Sequence, residues 1–364
     1  MRDASQRRGY LDWMRGLAVL VMIQAHTLDS WTRLEARDGP LFGWAMFVAG
    51  FGAPLFLFLA GITVVLSAGS KVRRGGADGA ASRAVVRRGF WVFFLAFLFR
   101  IQAWILGWGP ARSLLKVDIL NIMGLSIAAA GALWGAFRSP LARGAVFAGA
   151  TLAITLVTPI VRVTPLLDPL PDPIEAYIRP IHGLTTFCIF PWAGFLFAGG
   201  LAGVLLDGVR ERDAESRLNL KLFLGGLALA IGAYAASFLP SPYERSEFWG
   251  SSPAFFLLRA GIVTAALGLA YAWNARRTAL TGWSPLQQLG RSSLFIYWIH
   301  VEMVYGLVSL PLHKSLSFGA SSAALAVFAA FMLVCAIVKE RVMARWADSQ
   351  RAGEPQTPCD SSAQ

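Results

Sequence analysis

A chain of 364 residues that is 56% hydrophobic and only 15% charged, with a mean hydropathy of +0.55, is too apolar for a soluble domain, where about 25% of residues are charged. Its formal net charge of +12 does not argue for a nucleic-acid partner, because Lys and Arg fall in short segments on alternate sides of apolar runs, as the positive-inside pattern requires. Cys188, Cys335 and Cys359 are odd in number and two of them lie in apolar runs, so neither a disulfide framework nor a metal site is expected.

Taken in order, the apolar runs predict ten membrane spans, at 11–30, 42–67, 88–108, 117–137, 142–162, 184–206, 220–239, 253–273, 286–310 and 320–342. Pro110, Pro140, Pro240, Pro253 and Pro285 punctuate their ends. Arg7-Arg8 ahead of the first run superficially resembles a twin-arginine export signal. The run contains His26 and Asp29 and lacks a small-residue cleavage site, so an uncleaved first span is predicted. With the N-terminus inside, 23 of the 33 Lys and Arg fall in inner segments, which puts both termini in the cytoplasm. The expected architecture is an all-α polytopic membrane protein over 1–347, with a polar, disordered tail over 348–364. The inner connection 67–88 reads as Gly-rich, flexible and basic. The outer connection 163–183 is Pro-rich and acidic, and 174–183 suits a short interfacial helix.

The first span carries an unusual edge. Arg15 and His26 are eleven residues apart, close to three full turns, so they share a face about 16 Å apart along the axis, and Asp12 and Asp29 fall within about 60° of it. Such a stripe is costly in lipid and must face other helices or a water-filled chamber. The other intramembrane polar groups gather in the outer half: Arg100 of the third span, Asp118 and Asn121, which share one face of the fourth, then Arg259, His300 and Glu302, with His182 just before its span. His300 and Glu302, two residues apart, point about 160° from each other, so only one is expected to face the site, and His300 is chosen. His313 reads as a solvated loop residue.

This asymmetry suggests a polyanion entering from the inner side, at Asp12, Arg15 and the basic Lys71, Arg73, Arg74, Arg87 and Arg88, with proton transfer nearer the outer face. His26 has the chemistry of a general base near neutral pH. Bland readings stand beside these. Arg100, Arg259, Asp118 and Glu302 also suit ion pairs between helices, and the basic connection also suits a topology determinant.

Leu11-Asp-Trp-Met-Arg-Gly-Leu-Ala18, with Arg15 ahead of His26, resembles the opening of the transmembrane acyltransferase superfamily, which includes the acyltransferase family 3 O-acetylases. Gly52-Ala-Pro-Leu-Phe-Leu-Phe-Leu-Ala-Gly61, Val117-Asp-Ile-Leu-Asn-Ile-Met-Gly124, Phe190-Pro-Trp-Ala-Gly194 and Leu289-Gly-Arg-Ser-Ser-Leu-Phe-Ile-Tyr-Trp-Ile-His300 are similar to the heparan-α-glucosaminide N-acetyltransferase catalytic-domain family, in its bacterial branch. The lysosomal member carries Asn where His26 falls, a departure.

The resemblance implies transfer of an acyl group, usually acetyl, from cytoplasmic acetyl-CoA to a sugar, glycan or glycolipid acceptor across a bacterial inner or plasma membrane. No metal is implied, and a homodimer is compatible with it. Carried over, Arg15 belongs to the CoA end and His26 to the reacting end. The basic residues suit the CoA phosphates, Asp29 or Asp118 would orient or charge-stabilise the imidazole, and Asn121 and His300 accompany them. Arg100, His182, Arg259 and Glu302 are the acceptor-side candidates. A transporter or flippase, and a non-catalytic partner in an envelope-modifying complex, remain the alternatives.

Overall fold

The computed structural model describes residues 8–107, 110–277 and 283–353. In chain order its helices are α1 (Gly9–Trp31), α2 (Pro40–Ala49), α3 (Gly52–Arg73), α4 (Asp78–Gly107), α5 (Ile119–Ala136), α6 (Pro140–Val163), α7 (Asp172–Glu175), α8 (Ile189–Asp207), α9 (Arg212–Ala236), α10 (Pro253–Arg277), α11 (Pro285–Arg291), α12 (Ser293–Tyr305) and α13 (Phe318–Gly353). No β-strand occurs among the described residues, only isolated bridges at Thr32–Leu316 and Val117–Thr185.

Among the described residues eight runs are long and apolar enough to cross a membrane: α2 with α3, then α4, α5, α6, α8, α9, α10 and α13. The chain is therefore an all-α polytopic membrane protein, as its composition predicts. The other two predicted runs differ in kind. α1 has the length, but its charged and imidazole side chains lower its mean hydropathy. The run 286–310 is broken at Ser292 into α11 and α12.

α1 lies amid its neighbours, packed on α3, α10, α11, α12 and α13, with Met14, Ala18, Val19 and Ile23 sealed from solvent. Glycines bring this packing to backbone contact. A Cβ at Gly16 would lie 1.8 Å from the Leu286 carbonyl oxygen, and one at Gly290 would lie 1.9 Å from that of Asp12, so α1 and α11 touch through main chain. α3 and α8 do the same: a Cβ at Gly61 would meet the Leu196 oxygen at 1.9 Å, and one at Gly199 the Phe58 oxygen at 1.9 Å. Gly199→Val should force these helices apart and destabilise the protein by about 3 kcal/mol or more, read as a lowered unfolding midpoint in detergent. An unchanged midpoint would mean that α3 and α8 separate without penalty.

Three expectations about connections are corrected. The stretch 67–88 is not a flexible loop: α3 continues to Arg73 and α4 begins at Asp78, leaving four residues between them. The small residues there serve contact, since a Cβ at Gly69 would strike the Asp207 carboxylate at 2.4 Å. The stretch 174–183 is no interfacial helix. α7 spans four residues, and the chain beyond it is held by Arg179, which donates to Asp168 Oδ1 at 2.6 Å, to the Thr164 carbonyl at 2.6 Å and to Glu175. α13 runs on to Gly353, so residues 348–353 are helical, while 354–364 of the predicted tail lie outside the described residues.

Candidate active site

The polar edge of α1 lines a cavity of about 1340 Å³, which Arg8, Asp12, Arg15, Met22, His26 and Asp29 all reach. Phe56, Ala60 and Thr63 of α3, Val92 and Phe99 of α4, and Met123 and Ile127 of α5 form its apolar walls with Tyr297 of α12. One chamber thus connects the two ends of the stripe, about 16 Å apart on the helix axis.

At the Arg15 end, Asp12 holds the guanidinium by a 2.8 Å contact from Nη1, and Nη2 donates to Thr63 Oγ1 at 3.2 Å. Arg8 pairs with Glu215 at 2.8 Å, and Tyr10 donates to the same carboxylate at 3.0 Å. Arg73 pairs with Asp207 at 2.8 Å. Arg74 and Arg88 also line this end, and both are exposed without an ion-pair partner among the described residues. Lys71 and Arg87, named with them from the sequence, are exposed and do not line the cavity. Arg8, Arg210 and Arg291 do line it and were missed. They sit on segments far apart in sequence, and their only signal was the general excess of inner-side cations.

At the other end, His26 Nδ1 lies 2.8 Å from His300 Nε2, and the two rings are nearly coplanar, with an interplanar angle of 1°. His300 Nδ1 in turn lies 2.8 Å from the Ile296 carbonyl oxygen. A carbonyl only accepts, so His300 carries its proton on Nδ1 and its Nε2 accepts. His26 must then donate from Nδ1, which leaves the lone pair of its Nε2 for the cavity that its ring lines. A neutral imidazole fixed in this tautomer can remove a proton from a group in the chamber.

Of the orienting or charge-stabilising role expected of Asp29 or Asp118, the orienting part is corrected: the hydrogen bond that fixes the His26 ring is made with His300. Asp29, at the exposed end of α1, instead accepts from Tyr305 at 3.1 Å and pairs with Arg37. Asp118 caps α5 through the Ile119 N–H and binds Arg100 Nη2 at 2.6 Å. Asn121 completes that cap and reaches the Tyr177 hydroxyl, buried away from the cavity. The prediction that His300 rather than Glu302 faces the chamber is reversed. His300 is fully buried behind His26, and Glu302 lines the wall. Arg100 Nε and Glu302 Oε1 are buried without hydrogen-bond partners among the described residues.

Arg259 lines the chamber too and donates to the Gly50 carbonyl. His182 is exposed and stands outside the cavity, so it does not join the site. His313, predicted to be solvated, is half-buried beside Ser309 and the Val304 carbonyl, each 3.1 Å from Nε2. Among the described residues no cluster of His, Cys, Asp and Glu suits a metal ion.

Comparison with known proteins finds no match among curated ones. A sequence model of a family, described as heparan-alpha-glucosaminide N-acetyltransferase, catalytic, matches residues 7–238. The match takes in α1 to α9 and ends before α12, which carries His300.

Proposed function

Because the chain belongs to the heparan-alpha-glucosaminide N-acetyltransferase catalytic family, and is thus a membrane acetyltransferase, we propose that it moves an acetyl group from cytoplasmic acetyl-CoA to a sugar amine or hydroxyl on the opposite side of the membrane. The observation that carries this reading is the single chamber joining the guanidinium groups at the Arg15 end to the imidazole of His26. The phosphates of the donor suit Arg15, Arg73, Arg74 and Arg88, and its extended arm leads the thioester along the apolar walls toward His26.

There the acceptor nitrogen or oxygen attacks the thioester carbonyl and forms the new C–N or C–O bond, while His26 Nε2 takes the proton. Collapse of the adduct breaks the C–S bond, and the leaving thiolate recovers that proton from the imidazolium. The unpartnered Arg100 Nε and Glu302 Oε1 offer one donor and one acceptor to the hydroxyls of a bound sugar. With the termini inside, the setting is a bacterial plasma membrane, multi-pass.

The test is acetyl transfer by the purified protein in proteoliposomes, with labelled acetyl-CoA on one side and glucosamine on the other. Labelled N-acetylglucosamine is expected. Failure to bind acetyl-CoA, together with movement of a solute, would put a transporter in place of the enzyme. Arg74 and Arg88, exposed and without an ion-pair partner among the described residues, allow a gentler check. Arg74→Gln with Arg88→Gln should raise KM for acetyl-CoA about tenfold with kcat held. An unchanged KM would remove this end from donor binding.

A further inference from the structure

Adjoining the chamber is a second cavity of about 220 Å³, lined by Arg162, Thr185, Thr186, Trp192, Trp249 and Arg259, among others. Thr186, Trp192 and Arg259 line both cavities, so the smaller one is a side pocket of the larger. Its lining holds two guanidinium groups and no carboxylate.

Neither cation has an acidic partner among the described residues. Arg259 donates to the Gly50 carbonyl, and its guanidinium lies over the rings of Phe255 at 4.8 Å, Trp192 at 5.5 Å and Phe51 at 5.7 Å. Arg162, in the last turn of α6, makes a long contact of 3.4 Å to the Phe190 carbonyl, and its buried Nε has no hydrogen-bond partner among the described residues. A favourable position at a helix C-terminus accounts for a cation at 162. It does not account for an orphaned N–H beside a second uncompensated guanidinium in an aromatic-walled pocket, since a buried cation is costly unless paired.

We infer that this side pocket binds an anionic group, a carboxylate or phosphate, carried by the acceptor, so that the enzyme prefers acidic sugars to neutral ones. The inference rests on the acetyl-transfer reading for the identity of the ligand, but not for the presence of the anion site. Guanidinium forks match the oxygens of such groups in pairs. The faces of Trp192 and Trp249 suit the apolar side of a pyranose ring. An anion held in the side pocket, with the reacting group at His26 in the adjoining chamber, would fix the acceptor's orientation.

The experiment compares acetyl transfer to glucosamine and to glucosamine 6-phosphate, in vesicles of phosphatidylcholine alone and in vesicles containing phosphatidylglycerol. Inorganic phosphate binding is read separately by thermal shift. Wild type should favour the phosphorylated sugar by about tenfold or more in kcat/KM, and Arg162→Gln should erase most of that preference, with Arg162→Lys keeping part of it. Preference for the soluble sugar phosphate in neutral vesicles identifies a free acidic sugar. Arg162-dependent gain only in phosphatidylglycerol vesicles identifies a lipid headgroup; both support the anion site.

Equal loss of both acceptors in Arg162→Gln overturns it, because a merely structural arginine would act that way. If no acceptor is acetylated but Arg162 still contributes to phosphate stabilisation, the anion site stands and the acetyl-transfer reading falls. If transfer occurs without any Arg162-dependent preference or phosphate effect, the reverse holds.

Discussion

His26→Ala is expected to lower kcat for acetyl transfer by about 10²- to 10⁴-fold, the range that a positioned general base supplies. KM for acetyl-CoA should stay within about twofold of wild type, because Arg15, the proposed donor contact on α1, lies about 16 Å from His26 along the helix axis. The ring lines the chamber and is half-buried, so its loss leaves a small polar void rather than a collapsed core. An unfolding midpoint close to wild type should accompany the lost activity. Turnover within about tenfold of wild type would remove His26 from the proton-transfer step and leave the chamber as a positioning device only.

α1 was legible from sequence because two simple rules meet in it. A period of about 100° per residue aligns Arg15 with His26, and the expense of polar groups in lipid requires that line to face a chamber. Eight of the ten predicted spans have counterparts among the described helices, since hydropathy depends on composition alone. What escaped was whatever depends on contacts between distant segments. Nothing near His26 announces that its partner is His300, 274 positions on, so nearby carboxylates were the natural candidates for the role.

Those carboxylates are engaged by local geometry that the sequence only half reveals. Asp118 is the N-cap of α5 and meets Arg100 from α4, and Asp29 is held by Tyr305 and Arg37. The two-residue spacing of His300 and Glu302 correctly implied opposite directions, but not which direction was the chamber. The basic connection misled in a similar way. Its glycines and serines look like linker composition, yet Gly69 is small because Asp207 of α8 packs against it. Close helix approach and chain flexibility call on the same residue types.

The imidazole pair yields the more discriminating prediction. His300→Leu should reduce kcat by about 10²-fold or more, whereas His300→Gln should remain within about tenfold of wild type. Leu fills the buried volume but offers no acceptor to the His26 Nδ1–H, so the ring is free to move its proton to Nε2 and turn its lone pair from the acceptor. The imidazolium formed during transfer would also be left with a buried, unsatisfied N–H. Gln restores an accepting oxygen near the position of His300 Nε2 and so restores the tautomer. Since His300 acts through His26, the double variant His26→Ala with His300→Leu should be no slower than His26→Ala alone. If the two losses instead multiply, or if Gln falls as far as Leu while KM is unchanged, His300 contributes packing and the tautomer chain from the Ile296 carbonyl has no part in the rate.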